Sequence, residues 1–147
     1  MQLDEQGQPD FPIHESVEDA LGREIHFIIT SESVELGHIL TAREEGRDGM
    51  GYEFSGFSES SPYNALFDLR GKMHRALAVR HITRRGTRYQ MLHDTLRGRI
   101  SWSQDNGLAL IVDGIPLNID DLRQILETHE GWQFRLEIAD ASGDLSR

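Results

Sequence analysis

The chain has 147 residues, no cysteine and a formal net charge of −10. The missing thiols exclude disulfides, thiolate nucleophiles and cysteine-built zinc or iron–sulfur sites, and the net charge opposes general affinity for nucleic acid or an anionic membrane. No apolar run approaches the ~20 residues that span a bilayer. The opening MQLDEQGQPD has neither the basic nor the apolar region of a secretory signal, so a reducing cytoplasm is the simplest expected location.

In chain order, 1–15 reads as a loose, acidic N-terminal tail, 16–142 as a single α+β domain and 143–147 as a C-terminal tail. Ser16 and Asp19 have the N-cap and N3 chemistry of a short helical turn over Ser16–Leu21. Ile25, Phe27 and Ile29 alternate with His26 and Ile28, which predicts a strand over Glu24–Thr30. A second strand is expected over His38–Arg43, then a turn-rich loop, EEGRDGMG. Tyr52–Phe57 reads as a third strand, with its phase broken by a bulge at Gly56-Phe57.

Ser61-Pro62 opens a long helix, serine capping and proline in the first turn. Leu66, Leu69, Met73, Ala76 and Leu77 recur at helical spacing as its buried stripe. TRRGTRYQ follows as a basic loop, and Tyr89–Leu96 as an irregular connection or short strand.

The richest signals lie between Leu96 and Asp140. Ile100 and Trp102 alternate with polar residues, Asp105-Asn106-Gly107 suits a tight hairpin, and Leu108–Val112 is an apolar run expected to be covered on both faces. Asp113-Gly114 is a second turn, and Pro116 confines Ile115–Leu117 to a short or edge strand. Asn118 as N-cap, with Asp120 and Asp121 in the first turn, starts a short helix. Trp132, Phe134, Leu136 and Ile138 alternate with Gln133, Arg135 and Glu137, which predicts an amphipathic final strand. Trp102 and Trp132 are expected to face the core.

The strings DGIPLNIDDLRQILETHEGWQFRLEIADAS, GYEFSGFSE and LFDLRGKMHRALAVRHI resemble a family of bacterial hypothetical proteins known only as a domain of unknown function. The resemblance covers about Phe27–Ser142 and rests on structural motifs. It implies a shared fold and no activity, and it carries no functional residue with it.

Strands with two helices interposed and tight turns between them predict an α+β fold. The expected form is a mostly antiparallel sheet of about five or six strands with one long and one short helix packed on one face.

Charge is segregated along the chain. Arg70–Arg99 holds nine bases and one acid, net +8, while the remaining six bases and 24 acids give −18. Arg70, Lys72, Arg75, Arg80, Arg84, Arg85 and Arg88 are therefore the candidate anion- or partner-binding residues. The plainer alternative is that they pair with acids of the same chain or of a second copy. Only Tyr89 interleaves with them, too little aromatic surface for a single-strand stacking platform.

The seven histidines form no metal-binding pattern, and neither a phosphate-loop nor a GxSxG string occurs. No catalytic residue, metal ligand or cofactor is assigned. The leading expectation is a non-catalytic protein-interaction or binding domain, self-association included, with no membrane partner. A nucleic-acid or polyanion binder using Arg70–Arg99 is the alternative, and an enzyme whose site is invisible in sequence is the second.

Overall fold

A computed structural model describes Leu3 and residues 10–140 of the chain. It is α+β, and among the described residues the strands pair antiparallel in three small sheets instead of one sheet of five or six.

The first sheet runs β1 (Ile13–Glu18), β2 (Glu24–Val34), β3 (Gly37–Glu44) and β4 (Glu53–Ser58), paired in that order. Alternation puts Ile13, Val17, Phe27, Ile29, Leu40 and Ala42 on one buried face. The helix α1 (Pro62–Leu77) covers that face with Ala65, Leu66, Leu69, Met73 and Leu77. Its start follows its sequence: the Ser61 hydroxyl accepts from the Tyr63 and Asn64 N–H groups, and Pro62 occupies the first turn.

Ser16 is a strand residue, not a helix cap. It pairs with His26, and its Oγ lies 2.7 Å from His26 Nδ1. Pairing with β2 and burial of Ile13 and Val17 outweigh the local cap signal. The first core accordingly draws on residues before 15, with Phe11 packed on it and Ile13 fully within it. Most of the expected N-terminal tail, and all of 143–147, lie outside the described residues.

Gly56 marks a close approach rather than a bulge. The β3–β4 register continues through it, and a Cβ there would stand 2.8 Å from the Ala65 carbonyl oxygen on α1.

The remaining elements build a second unit. β5 (Ile82–Arg85) and β6 (Arg88–Met91) form a hairpin where a basic loop was expected. β7 (Gly98–Ser103), β8 (Gly107–Val112) and β9 (Ile115–Leu117) form a three-stranded sheet, followed by α2 (Ile119–Glu127). The α2 cap is a full capping box: Asn118 Oδ1 accepts from the Asp121 N–H at 2.7 Å, and Asp121 Oδ2 accepts from the Asn118 N–H at 3.0 Å. α2 packs on β6 and β9, so the two helices do not share one sheet face.

Two cores result, where one was expected under 16–142. The first lies wholly within residues 11–77. The second gathers Ile82, Val112, Leu117 and Ile125, with Tyr89, Met91 and Leu96 packed around them.

The final strand and the inward tryptophans are not found. Residues 132–140 join no sheet, and Trp132, Phe134, Leu136 and Ile138 are 69–91% exposed. Trp102 sits on β7 as expected but is 69% exposed, and Leu108 on β8 is exposed as well. The second core is filled by β8, β9, α2 and the β5–β6 hairpin, which leaves one face of β7 uncovered.

Candidate functional site

The polar side chains converge where the two units meet. The β8–β9 turn puts Asp113 at φ 54, a left-handed conformation that aspartate tolerates better than most residues. Its Oδ2 accepts from the His81 and Ile82 N–H groups at 2.8 and 2.9 Å. Its Oδ1 accepts from His81 Nδ1 at 2.8 Å, and Arg80 Nε stands 3.6 Å from Oδ2. Burial alone would raise the Asp113 pKa. The His81 ring, the two N–H donors and the Arg80 charge outweigh burial and hold it below the ordinary carboxylate range.

An imidazole oriented by a carboxylate is the arrangement of a general base. Here the His81 Nε2 is buried without a hydrogen-bond partner among the described residues, and the whole residue is 7% exposed. His81 and Asp113 both border a cleft beside this seam, and their hydrogen bonds form a clamp joining the start of β5 to the β8–β9 turn.

Tyr52 closes the seam from the first unit. It stacks on Phe54 at 5.8 Å, and its ring lies so close to Gly114 that a Cβ there would be 2.7 Å away. Burial, then the Asp113 charge, pushes its hydroxyl above the ordinary tyrosine pKa. Arg99 on β7 reaches the β3–β4 loop, where Nη2 donates to the Gly49 and Gly51 carbonyls at 2.7 and 2.6 Å. Burial lowers the Arg99 pKa from its ordinary value.

Beside this seam is a cleft of about 450 Å³. Lys72 and Arg75 line it from α1 and Arg97 and Arg99 from the second unit, opposite the acids Glu53, Asp113, Glu137 and Asp140. Its charge is therefore mixed. Among the described residues, no three histidine or acidic side chains converge as metal ligands.

The seven candidate cations do not form one face. Arg70 makes a forked pair with Glu15, its Nη2 2.6 Å from Oε1. Lys72 donates to the Ser55 carbonyl at 2.9 Å and lies 3.5 Å from Asp68. Lys72 and Arg75 line the cleft, whereas Arg80 is held beside Asp113.

Arg84, Arg85 and Arg88 lie apart on the hairpin. Arg84 donates to the Gly86 carbonyl at 3.0 Å and lies 5.7 Å from the centre of the Tyr89 ring. Arg85 and Arg88 are exposed and directly opposed across β5 and β6, without an ion pair to a described residue.

Sequence reading missed Tyr52, His81 and Asp113. Asp113-Gly114 was legible as a turn, but no spacing links it to a histidine 32 residues away.

Residues 9–78 match a family model described as Domain of unknown function (DUF7686), and residues 79–143 match another, Domain of unknown function (DUF7713). Each match covers a little under half of the chain. The two matched regions meet between Ala78, the C-cap of α1, and Val79, where the first core gives way to the second. The Asp113 clamp lies within the region that matches DUF7713, Tyr52 approaches it from the region that matches DUF7686, and the Gly49 and Gly51 carbonyls of that region bind Arg99. No curated protein and no solved structure matches the chain significantly. No described helix is long and apolar enough to cross a membrane.

Proposed function

We propose that the chain acts in the cytoplasm by binding another protein rather than by catalysis. One observation supports this reading above the rest. Ile100, Trp102 and Leu108 lie on one open sheet region, and Trp132, Phe134, Leu136 and Ile138 are 69–91% exposed in the segment that follows α2. Single exposed apolar residues are ordinary, but large contiguous apolar surface marks an interaction site. Tryptophan and phenylalanine are also the side chains that dominate binding energy at interfaces. The polar cluster, by contrast, is occupied in holding the second unit together.

The test is capture of a partner by the full chain, compared with a Trp102→Lys/Phe134→Asp double variant of unchanged circular dichroism. Loss of one or two buried aromatic anchors should weaken retention by about tenfold or more. Equal retention by both proteins would count against the reading.

The opposed Arg85 and Arg88, with Arg84 beside them, favour a second reading, a polyanion site on the hairpin. Its affinity should fall steeply with salt and weaken in an Arg84→Ala/Arg85→Ala variant. Absence of any DNA or RNA shift at low salt removes it.

A further inference from the structure

We infer that the partner includes a second copy of this chain, with residues 132–138 of each copy laid as a strap across the Ile100–Trp102–Leu108 face of the other. This rests on the interaction reading above and names its occupant.

The strap carries the pattern of an extended amphipathic segment. Trp132, Phe134, Leu136 and Ile138 fall on one side, and Gln133, Arg135 and Glu137 on the other. It nevertheless joins no sheet, and all four apolar side chains are exposed. The receiving face is equally unfinished. β7 is an edge strand, and its Ile100 and Trp102 are 54% and 69% exposed, beside Leu108 of β8 at 44%. A strap laid there buries its apolar side on the sheet and turns its three polar residues to water.

The occupant follows from area and geometry. Fully buried aromatics cover about 150–250 Å² each. With exposures of 69%, 69% and 91%, the three aromatics of strap and face alone present on the order of 400 Å². The four aliphatic side chains bring the total to about 800 Å² per copy, the share one partner contributes to a standard stable interface.

Docking in cis does not cover this surface. The strap's end, Glu137 and Ile138, already lies near Arg97–Ile100 at the cleft, and both apolar sets remain exposed. Placing the strap edge-to-edge with β7 of the same chain would only widen the open face, because strand side chains stand perpendicular to the sheet. Two copies related by a two-fold axis satisfy strap and face together, each copy giving one and receiving the other.

Light scattering on the full chain should give twice the 16.7 kDa chain mass across the micromolar range. Phe134→Asp, which spoils the strap, and Trp102→Lys, which spoils the face, should each yield a monomer with unchanged circular dichroism. Leu136→Asp replaces the first variant should that one misfold. An equimolar mixture of the strap and face variants should recover dimers, since one intact strap still meets one intact face.

A wild-type monomer at high micromolar concentration overturns the inference, as does a dimer that survives both variants or a mixture that stays monomeric. A monomer whose Phe134→Asp/Trp102→Lys form still loses a protein partner refutes self-association alone. A monomer whose capture is unchanged refutes the interaction reading as well.

Discussion

Replacing Asp113 with alanine removes the acceptor for two backbone N–H groups and the His81 ring, and takes the counter-charge from Arg80. The Asp113 side chain is 1% exposed and that of Arg80 14%, so water does not substitute readily. Hydrogen bonds to a charged acceptor contribute about 1.5–3 kcal/mol each, and breaking a buried pair from one side costs about 3–5 kcal/mol. These terms overlap at one carboxylate, which sets the expected loss at about 3–5 kcal/mol rather than their sum. Asp113→Asn keeps one oxygen acceptor and tolerates the left-handed backbone, so its loss should be about 1–2 kcal/mol. Urea unfolding followed by circular dichroism reads both values. Because the core of residues 82–125 is separate from that of α1 and β1–β4, the alanine variant should also unfold in two steps, the DUF7713 region first. An Asp113→Ala protein within about 1 kcal/mol of wild type, unfolding in one step, would refute the clamp.

Acid should destabilise the chain through two aspartates. Asp19, like Asp113, is held below the ordinary range: burial raises its pKa, but the Arg23 N–H and guanidinium and the Leu21 N–H outweigh it. The stabilisation is thus fully present above the unfolded pKa of about 3.9 and disappears as pH falls through the lower folded values. The urea midpoint should hold from neutral pH to about 5 and drop below 4, and a flat profile to pH 3 contradicts this. Gly56→Val forces α1 away from β4 at the Ala65 carbonyl and should cost about 1–3 kcal/mol, read as a lowered thermal midpoint. Asn118→Ala removes half of the α2 capping box and should cost about 1 kcal/mol, confined to unfolding of the DUF7713 region.

The α1 start and the α2 cap were legible because capping is settled within four residues of chain. The alternation of β2 and β7 was legible for a similar reason, since period-2 patterning is a local property, and β8 was legible as a short apolar run. Ser16 misled because its cap chemistry is equally local, whereas its pairing with His26 depends on a strand brought back across a turn. The charge run from Arg70 to Arg99 was visible, but its partition was not. Whether a cation finds Glu15, Ser55, Asp113 or water depends on which element it rides and what that element packs against.

Sequence by itself therefore determined an α+β chain of antiparallel strands with one long and one short helix. Tertiary structure decided that the strands divide into three sheets over two cores, and that Asp113 closes on His81. It also decided that the tryptophans stand outward. Alternation states that one side of a strand is apolar, but it does not say what covers that side. Trp102 shares its face with the core residues Leu110, Val112 and Leu117, but α2 and the β5–β6 hairpin cover only the β8–β9 side of that face, so at β7 and in the 132–138 strap the apolar pattern of a core strand marks a surface.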